Sequence, residues 1–347
     1  MNLKELSQIL GLSQTTVSRA LNGYPEVNET TRARVASAAK TYGYSPNVRA
    51  KGLATGQAMA IAHALHVSGR DEIMNPIFAD FVAGASEVYS ARGYDMMLTI
   101  VEDSEGPEAL RNLARKGSVD GVIVQAPRFH EPRLDLLRET GLPFVVHGRT
   151  SEPEDSYSWI DMDNRRAFLR ATEFLADLGH TRIALINGDE QMDFARRRRI
   201  GYETALTRRG ILPDPTLMTT GAMTEVYGYE SARRCLETLD RPTAFLVASL
   251  ISALGVRRAI EDAGLRIARD VSVITHDDDL SYLRNGDATP IFTATRSPVR
   301  LAGRKAAELL LKLIEGRDSA PSNELLYADL TVGRSTGPAR APELIQP

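Results

Sequence analysis

The sequence contains very little cysteine and no long hydrophobic run. Its one cysteine, Cys235, excludes an internal disulfide and any metal site built from several thiolates. No uninterrupted apolar stretch reaches the roughly 18 residues that a membrane-spanning helix needs. The charged residues Lys4 and Glu5 lie where a secretory signal peptide would lead into an apolar segment. We therefore expect a cytoplasmic protein.

Several motifs of enzyme and cofactor sites are also missing. The chain has no GxGxxG loop, no Walker phosphate-binding loop and no HExxH zinc motif. Its hydrophobic (43%) and charged (25%) contents are those of a globular protein, and 347 residues exceed what one hydrophobic core usually organises. We expect two or more domains, no metal, no cofactor and no enzymatic activity.

Positive charge is concentrated at the N-terminus. Residues 1–57 contain seven basic and three acidic side chains, whereas the whole chain has a net charge of −3, so the remainder is acidic. A basic N-terminal segment followed by an acidic remainder suits a protein whose N-terminal segment contacts phosphates while the remainder stays away from nucleic acid.

The first 45 residues have the pattern of three short helices. Asn2 followed three positions later by Glu5 is a capping-box start, and Gly11 offers a C-terminal stop. Ser13 can cap a second helix, and a third is predicted over 28–43. Only about three residues separate the first two helices, which is the spacing of a helix-turn-helix.

The second helix has one side whose residues all carry hydrogen-bonding groups. Glutamine and arginine make bidentate contacts to adenine and guanine in the major groove, and hydroxyl groups at a helix N-terminus hold phosphates. The alternative is a solvated polar face on an ordinary three-helix bundle. The residues of this face are Gln14, Thr15, Ser18, Arg19 and Asn22.

The segments LKELSQILGLSQTTVSRALNG and NETTRARVASAAKTYGYSPN closely resemble the headpiece of the LacI/GalR family of bacterial repressors, whose TVSRxLN motif stands here at 16–22. The resemblance implies an operator of double-stranded DNA as partner. It also implies two sets of contact residues. The implied base-reading residues are Gln14, Thr15 and Arg19, and the implied phosphate contacts are Thr16, Ser18 and Asn22.

The segment 46–57, with VRAKGLATG, resembles the hinge of the same family, which becomes a short helix on operator DNA. The resemblance places Leu53 and Lys51 in the minor groove, where an inserted apolar side chain kinks DNA. Gly52 departs from the family and costs about 1 kcal/mol of helix propensity, which favours a hinge that unfolds easily off DNA. The alternative for Leu53 is a plain linker residue.

From residue 58 onward, apolar runs alternate with amphipathic helical stretches, and a second series of the same alternation begins after Asp161. Such alternation predicts parallel sheets covered on both faces. We therefore expect an α/β fold, in which a small all-α helix-turn-helix headpiece precedes a two-lobed core of doubly wound parallel sheets that resembles periplasmic binding proteins. The expected domains are a headpiece over 1–45, a hinge over 46–57, an N-lobe over 58–160 and 290–318, and a C-lobe over 161–289 and 319–340.

In such a core the ligand binds between the lobes, beyond the carboxyl ends of the strands. Paired charged groups, an amide and aromatic rings suit a polyhydroxylated ligand such as a sugar. Each candidate has a plainer alternative, such as a core aromatic, a capped loop histidine or a salt-bridged helix face. The resemblance to the repressor family implies Ile77, Phe78, Arg196 and Asp277 as ligand contacts, and Met223 and Ser249 stand at two further positions of the implied pocket. The other candidates, which follow strands or the crossover, are Gln125, His147 and Trp159.

The sequence thus predicts a repressor that binds a palindromic operator as a homodimer and is released by a mono- or oligosaccharide, with an α-glucoside as the effector suggested by family resemblance. A co-repressor-dependent repressor, or an activator with a non-sugar effector, would use the same parts. A secreted sugar-binding protein explains the core but not the basic N-terminal segment.

Overall fold

The computed structural model describes residues 1–21, 23–44, 57–66, 76–101, 106–316 and 320–340. Backbone proximity divides the chain into two compact units. Residues Met1–Met59 with Gly117–Asp120 form the first, and residues Ala60–Lys116 with Gly121–Pro347 form the second.

The first unit contains the three expected helices, α1 (Leu3–Leu10), α2 (Gln14–Leu21) and α3 (Glu29–Thr41). The capping box of Asn2 and Glu5 is present at the start of α1. Leu6, Val17 and Val35 contribute one side chain from each helix to a fully buried centre. The helix-turn-helix prediction is therefore confirmed, and it rests on a very small apolar core.

The second unit contains two six-stranded sheets. All neighbours in the first sheet are parallel, in the order β11-β5-β4-β3-β1-β2. Its strands are β1 (Ala60–His66), β2 (Asp95–Val101), β3 (Gly121–Gln125), β4 (Phe144–His147), β5 (Ser158–Met162) and β11 (Asn323–Leu326). The helices that accompany it are α4 (Pro76–Arg92), α5 (Gly106–Arg115), α6 (Pro132–Thr140) and α11 (Val299–Ile314).

The second sheet has the order β12-β10-β9-β8-β6-β7 and is parallel except for the pair β10–β12. Its strands are β6 (Ile183–Asn187), β7 (Met218–Thr220), β8 (Ala244–Val247), β9 (Ser272–Asp277), β10 (Thr293–Arg296) and β12 (Asp329–Thr331). The helices that accompany it are α7 (Asn164–Asp177), α8 (Asp193–Arg208), α9 (Glu225–Leu236) and α10 (Leu250–Asp262). The predicted doubly wound α/β fold is confirmed.

Close helix packing holds α11 on the first sheet. A Cβ added to Gly84 of α4 would lie 2.0 Å from the carbonyl oxygen of Arg300, and one added to Gly303 would lie 2.0 Å from that of Phe81. Glycine at both positions lets the two helix backbones touch. Within the described ranges, no helix combines the length and the apolar character needed to cross a membrane.

The chain passes between the two sheets at positions that differ from the expected boundaries. The expectation assigned 290–318 to the first lobe, but Thr293–Arg296 pairs with β9 in the second sheet. It assigned 319–340 to the second lobe, but Asn323–Leu326 pairs with β5 in the first. The expected ranges are wrong only at these two strands, since α11 packs on the first sheet and β12 pairs with β10 in the second. Both strands are only four residues long, and sheet pairing rather than an apolar run decides where each lies.

Candidate functional site

The first candidate site is the outer face of α2. Gln14, Thr15 and Arg19 are exposed on this helix, while Val17 and Ala20 are buried beneath it. The Arg19 guanidinium lies 3.6 Å from the Glu26 carboxylate, and both side chains are about half exposed. The three predicted base-reading residues therefore project from one short helix into solvent.

Two of the predicted phosphate contacts, Thr16 and Ser18, lie on the same helix. Ser13 caps α2, because its Oγ accepts a hydrogen bond of 3.1 Å from the Thr16 amide. The two hydroxyl groups of Ser13 and Thr16 are 2.8 Å apart, and Ser18 is half-buried. Asn22, Lys51 and Leu53 fall outside the described residues.

Other arginines of the first unit have structural partners. Arg32 donates from Nη2 to the carbonyl oxygens of Val27 (3.0 Å) and Tyr24 (3.2 Å). Arg34 donates to the carbonyl oxygen of Leu10 at the end of α1. These two charges stabilise helix ends and turns, which distinguishes them from the outward-facing Arg19.

The second candidate site is a cavity of about 610 Å³ in the second unit. Residues that end or follow strands of both sheets line it, among them Gln125, His147 and Met162 from the first sheet and His276 and Asp278 from the second. This volume falls within the roughly 300–1,000 Å³ of small-molecule sites. The cavity lies where the carboxyl ends of parallel strands were expected to form a ligand cleft.

The structure brings five of the nine predicted effector residues to this cavity. They are Ile77, Phe78, Gln125, His147 and Met223. Ile251 and Leu254 of α10 also line it and contribute apolar surface.

Trp159 and Ser249 do not line the cavity. The Trp159 indole is buried in the first lobe, where Nε1 donates to the carbonyl oxygen of Glu154 at 2.9 Å and the Arg149 guanidinium lies 5.1 Å from the ring centre. Ser249 is buried as the cap of α10, accepting from the Ser252 amide at 3.1 Å. Both have structural roles, which the sequence left open as alternatives.

The charged pair at the cavity differs from the predicted pair by one or two positions. Arg196 is exposed and lies 4.1 Å above the ring of Phe129, whereas Arg198 lines the cavity. Asp277 accepts from the Asp279 amide at 2.9 Å within a turn, whereas Asp278 lines the cavity. Arg196 and Asp277 are therefore replaced as cavity residues by Arg198 and Asp278.

The Arg198 guanidinium is buried and held from two sides. Nε donates to Oδ1 of Asn164 at 2.8 Å, and Nη1 donates to the carbonyl oxygen of Ala248 at 2.8 Å. The rings of Phe168 and Phe194 lie 5.1 and 5.0 Å from its central carbon. Burial lowers the pKa of Arg198 to about 10, an effect that Asp278 and Asp161 oppose, so the group is charged at neutral pH.

Two buried carboxyl groups share this electrostatic environment. Burial raises the pKa of Asp278 to about 7, although Arg198 lowers it in part. Burial also raises the pKa of Asp161 to about 6, opposed by Arg149, which donates from Nε at 2.8 Å. A cation flanked by two such acids offers both donors and acceptors to a ligand with neighbouring hydroxyl groups.

Two histidines on the cavity wall are neutral at physiological pH. His276 lies 2.9 Å from Oγ1 of Thr295 and 3.1 Å from Oγ of Ser297, and burial and then Arg198 hold its pKa well below the usual range. His147 stacks on Phe81 with ring centres 4.3 Å apart, and burial lowers its pKa to about 4. Neither ring adds positive charge to the site.

One pentapeptide, Gly333–Gly337, has the GxSxG spacing of a hydrolase nucleophile. Its Ser335 is 1% exposed, donates to the carbonyl oxygen of Val273 at 2.5 Å and accepts from the Thr293 amide at 2.8 Å. These bonds tie the segment to the second sheet and leave no path for a substrate to reach the hydroxyl. In the part of the chain that the structure describes, no cluster of three or more histidine, cysteine or acidic side chains could hold a metal ion.

Helical periodicity could have identified Arg198. The buried positions of α8 are spaced by three or four residues through Ala195, Arg198, Tyr202 and Ala205, which places Arg196 on another side. No comparable signal separates Asp277 from Asp278, because β9 is buried at every position.

The chain is similar to known proteins over nearly its whole length. Residues 2–47 match the model for bacterial regulatory proteins of the lacI family, and residues 172–336 match a periplasmic binding protein-like domain. The HTH-type transcriptional regulator AglR of Rhizobium meliloti (strain 1021) is 43% identical over 340 residues, covering 98% of this chain and 95% of the relative. The regulator CelR of Thermobifida fusca is 31% identical, covering 96% of this chain and 97% of its own.

Two solved structures share the fold and the arrangement of domains along the chain. A complex of the transcriptional regulator CelR with cellobiose has a TM-score of 0.71 at 29% identity and covers 96% of this chain and 99% of its own. The lac repressor dimer bound to operator and the anti-inducer ONPF has a TM-score of 0.80 at 26% identity, covering 97% of this chain and 99% of its own.

Proposed function

The chain belongs to the LacI family of bacterial regulatory proteins, and from that premise we propose that it is a transcriptional repressor released from a palindromic operator by a sugar. A regulator of this kind acts on DNA in the cytoplasm. It would act as a homodimer, since one short helix contacts few base pairs and two-fold symmetry doubles the number that are read.

The DNA contacts follow from the outer face of α2. Gln14, Thr15 and Arg19 would read base edges in the major groove, because their side chains are exposed together on one helix. Thr16, Ser18 and Asn22 would contact phosphates near its start and end.

The hinge contributes a second kind of readout in this proposal. Lys51 and Leu53 would enter the minor groove, with the leucine of each protomer acting as a wedge between base steps. Such a contact would make the protein prefer operators whose central base-pair steps bend easily, even at bases that no side chain contacts directly.

The observation that carries the effector proposal is the placement of a buried Arg198 beside Asp161 and Asp278 in one cavity with aromatic walls. Charged groups that hydrogen-bond neighbouring hydroxyls, together with rings such as Phe78 and Phe194, are what a sugar requires. The cellobiose complex of a structural relative supports this class of ligand. An α-glucoside disaccharide such as maltose is our proposed effector.

Release from DNA requires that the sugar bind one conformation more tightly than another. A shift of the conformational equilibrium from 99:1 to 1:99 needs about a 10⁴-fold difference in the affinity of the sugar for the two conformations. The cavity has walls from both sheets, so a ligand bridging them would favour a closed arrangement of the lobes over an open one. In co-repression the sugar would instead strengthen operator binding, through the same headpiece and cavity.

The test is operator selection from a random DNA pool followed by titration with maltose, trehalose, sucrose and cellobiose. We expect a palindromic site and its release by one of the α-linked sugars. Recovery of a palindrome that no sugar releases would remove the sugar effector and leave the DNA-binding function. Tighter operator binding in the presence of a sugar would establish co-repression.

A further inference from the structure

A row of three polar side chains crosses the interior of the first lobe and ends at the cavity. The phenol oxygen of Tyr89 lies 3.1 Å from Nε2 of His63, and Nδ1 of His63 lies 3.3 Å from Nε2 of Gln125. His63 is fully buried in β1, Tyr89 is 1% exposed, and Gln125 is 5% exposed at the end of β3. Only Gln125 of the three lines the cavity.

His63 can serve as only one donor and one acceptor. Burial lowers its pKa to about 4, so the ring is neutral at physiological pH, with one protonated nitrogen. Because the amide nitrogen of Gln125 faces Nδ1, this nitrogen accepts and Nε2 carries the proton that it donates to Tyr89. Aromatic edge contacts with Phe81 and Tyr89, at 6.1 and 5.7 Å between ring centres, fix the plane of the imidazole.

The backbone that carries Gln125 is also fixed. Arg133 donates from Nη2 to the Gln125 carbonyl oxygen at 3.3 Å and from Nη1 to that of Ala64 at 3.2 Å. The same guanidinium is paired with the buried carboxylate of Glu131, at 2.5 Å. With the main chain held by Arg133, the remaining freedom of Gln125 at the cavity lies in its side-chain torsions, the last of which decides which end of the amide faces a ligand.

We propose that His63 is a positioning residue that turns the Gln125 amide so that its carbonyl oxygen, Oε1, faces the cavity as a hydrogen-bond acceptor. The nitrogen end of the amide is engaged by His63, so the oxygen end is presented to the ligand. The position therefore selects a ligand hydroxyl that donates, at the end of β3, whereas the Arg198 donor belongs to α8 beside the second sheet. This inference rests on the proposed effector cavity, but the amide orientation itself does not require any ligand.

The orientation is tested first without ligand, in the full-length protein, by ¹⁵N NMR of histidine side chains. The His63 signals are assigned by their loss in His63→Asn. We expect an unprotonated Nδ1 and a protonated Nε2 at pH 7. A protonated Nδ1 would overturn the proposal, because Tyr89 would then donate to Nε2 and the Gln125 amide would present its nitrogen to the cavity.

The consequence for binding is tested by calorimetry with maltose. His63→Leu removes the acceptor and should weaken maltose binding about tenfold, the size of one hydrogen bond of about 1.4 kcal/mol. His63→Asn places an amide oxygen where Nδ1 lies and should restore most of the affinity. His63→Gln places its polar end near Nε2, toward Tyr89, and should not restore it. Melting temperatures of all three variants control for folding.

A double-mutant cycle with Gln125→Leu separates positioning from a general structural effect. Once Gln125 is absent, His63→Leu should produce no further loss of maltose affinity. Additive losses, or equal losses for His63→Leu and His63→Asn, would refute the positioning role. If maltose does not bind the unmodified protein, the sugar proposal fails for this ligand, whereas the NMR result still decides the orientation of Gln125.

Discussion

Arg198 donates from Nε to Oδ1 of Asn164 at 2.8 Å, which joins α8 to the first residue of α7 at the wall of the cavity. The Asn164 amide nitrogen is in turn held by the carbonyl oxygen of Met162 at 3.0 Å. Nε and Nη1 of Arg198 are both engaged, and no described residue accepts a hydrogen bond from Nη2, so we expect Nη2 to donate to a ligand.

Substitution of that arginine should abolish effector binding. We expect Arg198→Ala to lower sugar affinity by about 100-fold or more, because a charged donor contributes roughly 3 kcal/mol when its partner is buried. Arg196→Ala, two positions away on the exposed side of the same helix, is the matched control and should bind sugar normally. Calorimetry and sugar-induced release from operator measure both. Similar losses for the two variants would place the pocket elsewhere.

The neighbouring acids offer a second matched pair. Asp278→Asn should weaken sugar binding, because a carboxylate that accepts from ligand hydroxyls is replaced by a neutral amide, while Asp277→Asn should have little effect on it. With a pKa of about 7 for Asp278, sugar affinity of the unmodified protein should also rise between pH 6 and pH 8 as the group ionises. A loss confined to Asp277→Asn would reverse the assignment.

Stability should depend on pH through the same residue. The pKa of Asp278 is about 7 in the folded protein, against 3.8 for an ordinary aspartate, so its stabilising contribution is full below pH ~4 and is lost as pH rises through about 7. Asp278→Asn removes this dependence. Its melting temperature relative to the unmodified protein should therefore be higher at pH 8 than at pH 5, by an amount that corresponds to at most about 3 kcal/mol. Equal differences at the two pH values would show that the carboxyl does not titrate in this range.

Operator recognition should depend on Arg19 in a base-specific way. Arg19→Ala should cost about 1 to 3 kcal/mol of operator binding and relax preference at one base position. Lys4→Ala removes the same charge from α1 of the first unit and should leave every base preference unchanged. Binding to a library of single-base operator variants distinguishes the two. An unchanged preference profile for Arg19→Ala would eliminate it as a base-reading residue.

The hinge prediction concerns a residue outside the described ranges. Leu53→Ala should weaken binding to operator far more than binding to random DNA, because a minor-groove wedge stabilises only a bent site. Competition assays with both DNAs measure the ratio. An equal loss on both would assign Leu53 to a plain linker.

Periodicity and capping predicted the fold because both act over a few residues. Asn2, Gly11 and Ser13 mark helix ends through local hydrogen bonds or backbone geometry, so the three short helices were predicted close to their observed bounds. The alternation of strands and helices likewise predicted two parallel sheets. The lobe boundaries failed because β10 and β11 are short strands whose sheet is set by distant partners.

The candidate cavity was predicted only in part, for a related reason. Strand-end residues such as Gln125 and His147 were found because every parallel strand points its carboxyl end to the same edge. Arg198 is one of four consecutive arginines. The resemblance to the repressor family points to Arg196, whereas the spacing of the buried positions of α8 points to Arg198. His63 gave no signal at all, since its role depends on contacts with Tyr89 and Gln125 from elements far away in the sequence.

The exchange of strands between the two sheets has a consequence for how the protein folds during synthesis. The second sheet is built almost entirely from residues 183–296, and it lacks only its edge strand β12. The first sheet, although its strands begin at residue 60, gains α11 and β11 only after residue 326 has been made. The first lobe therefore stays incomplete until residue 326, when the second sheet lacks only β12. Until α11 has been made, the apolar surface of α4 that will receive it is open to chaperones and to other nascent chains.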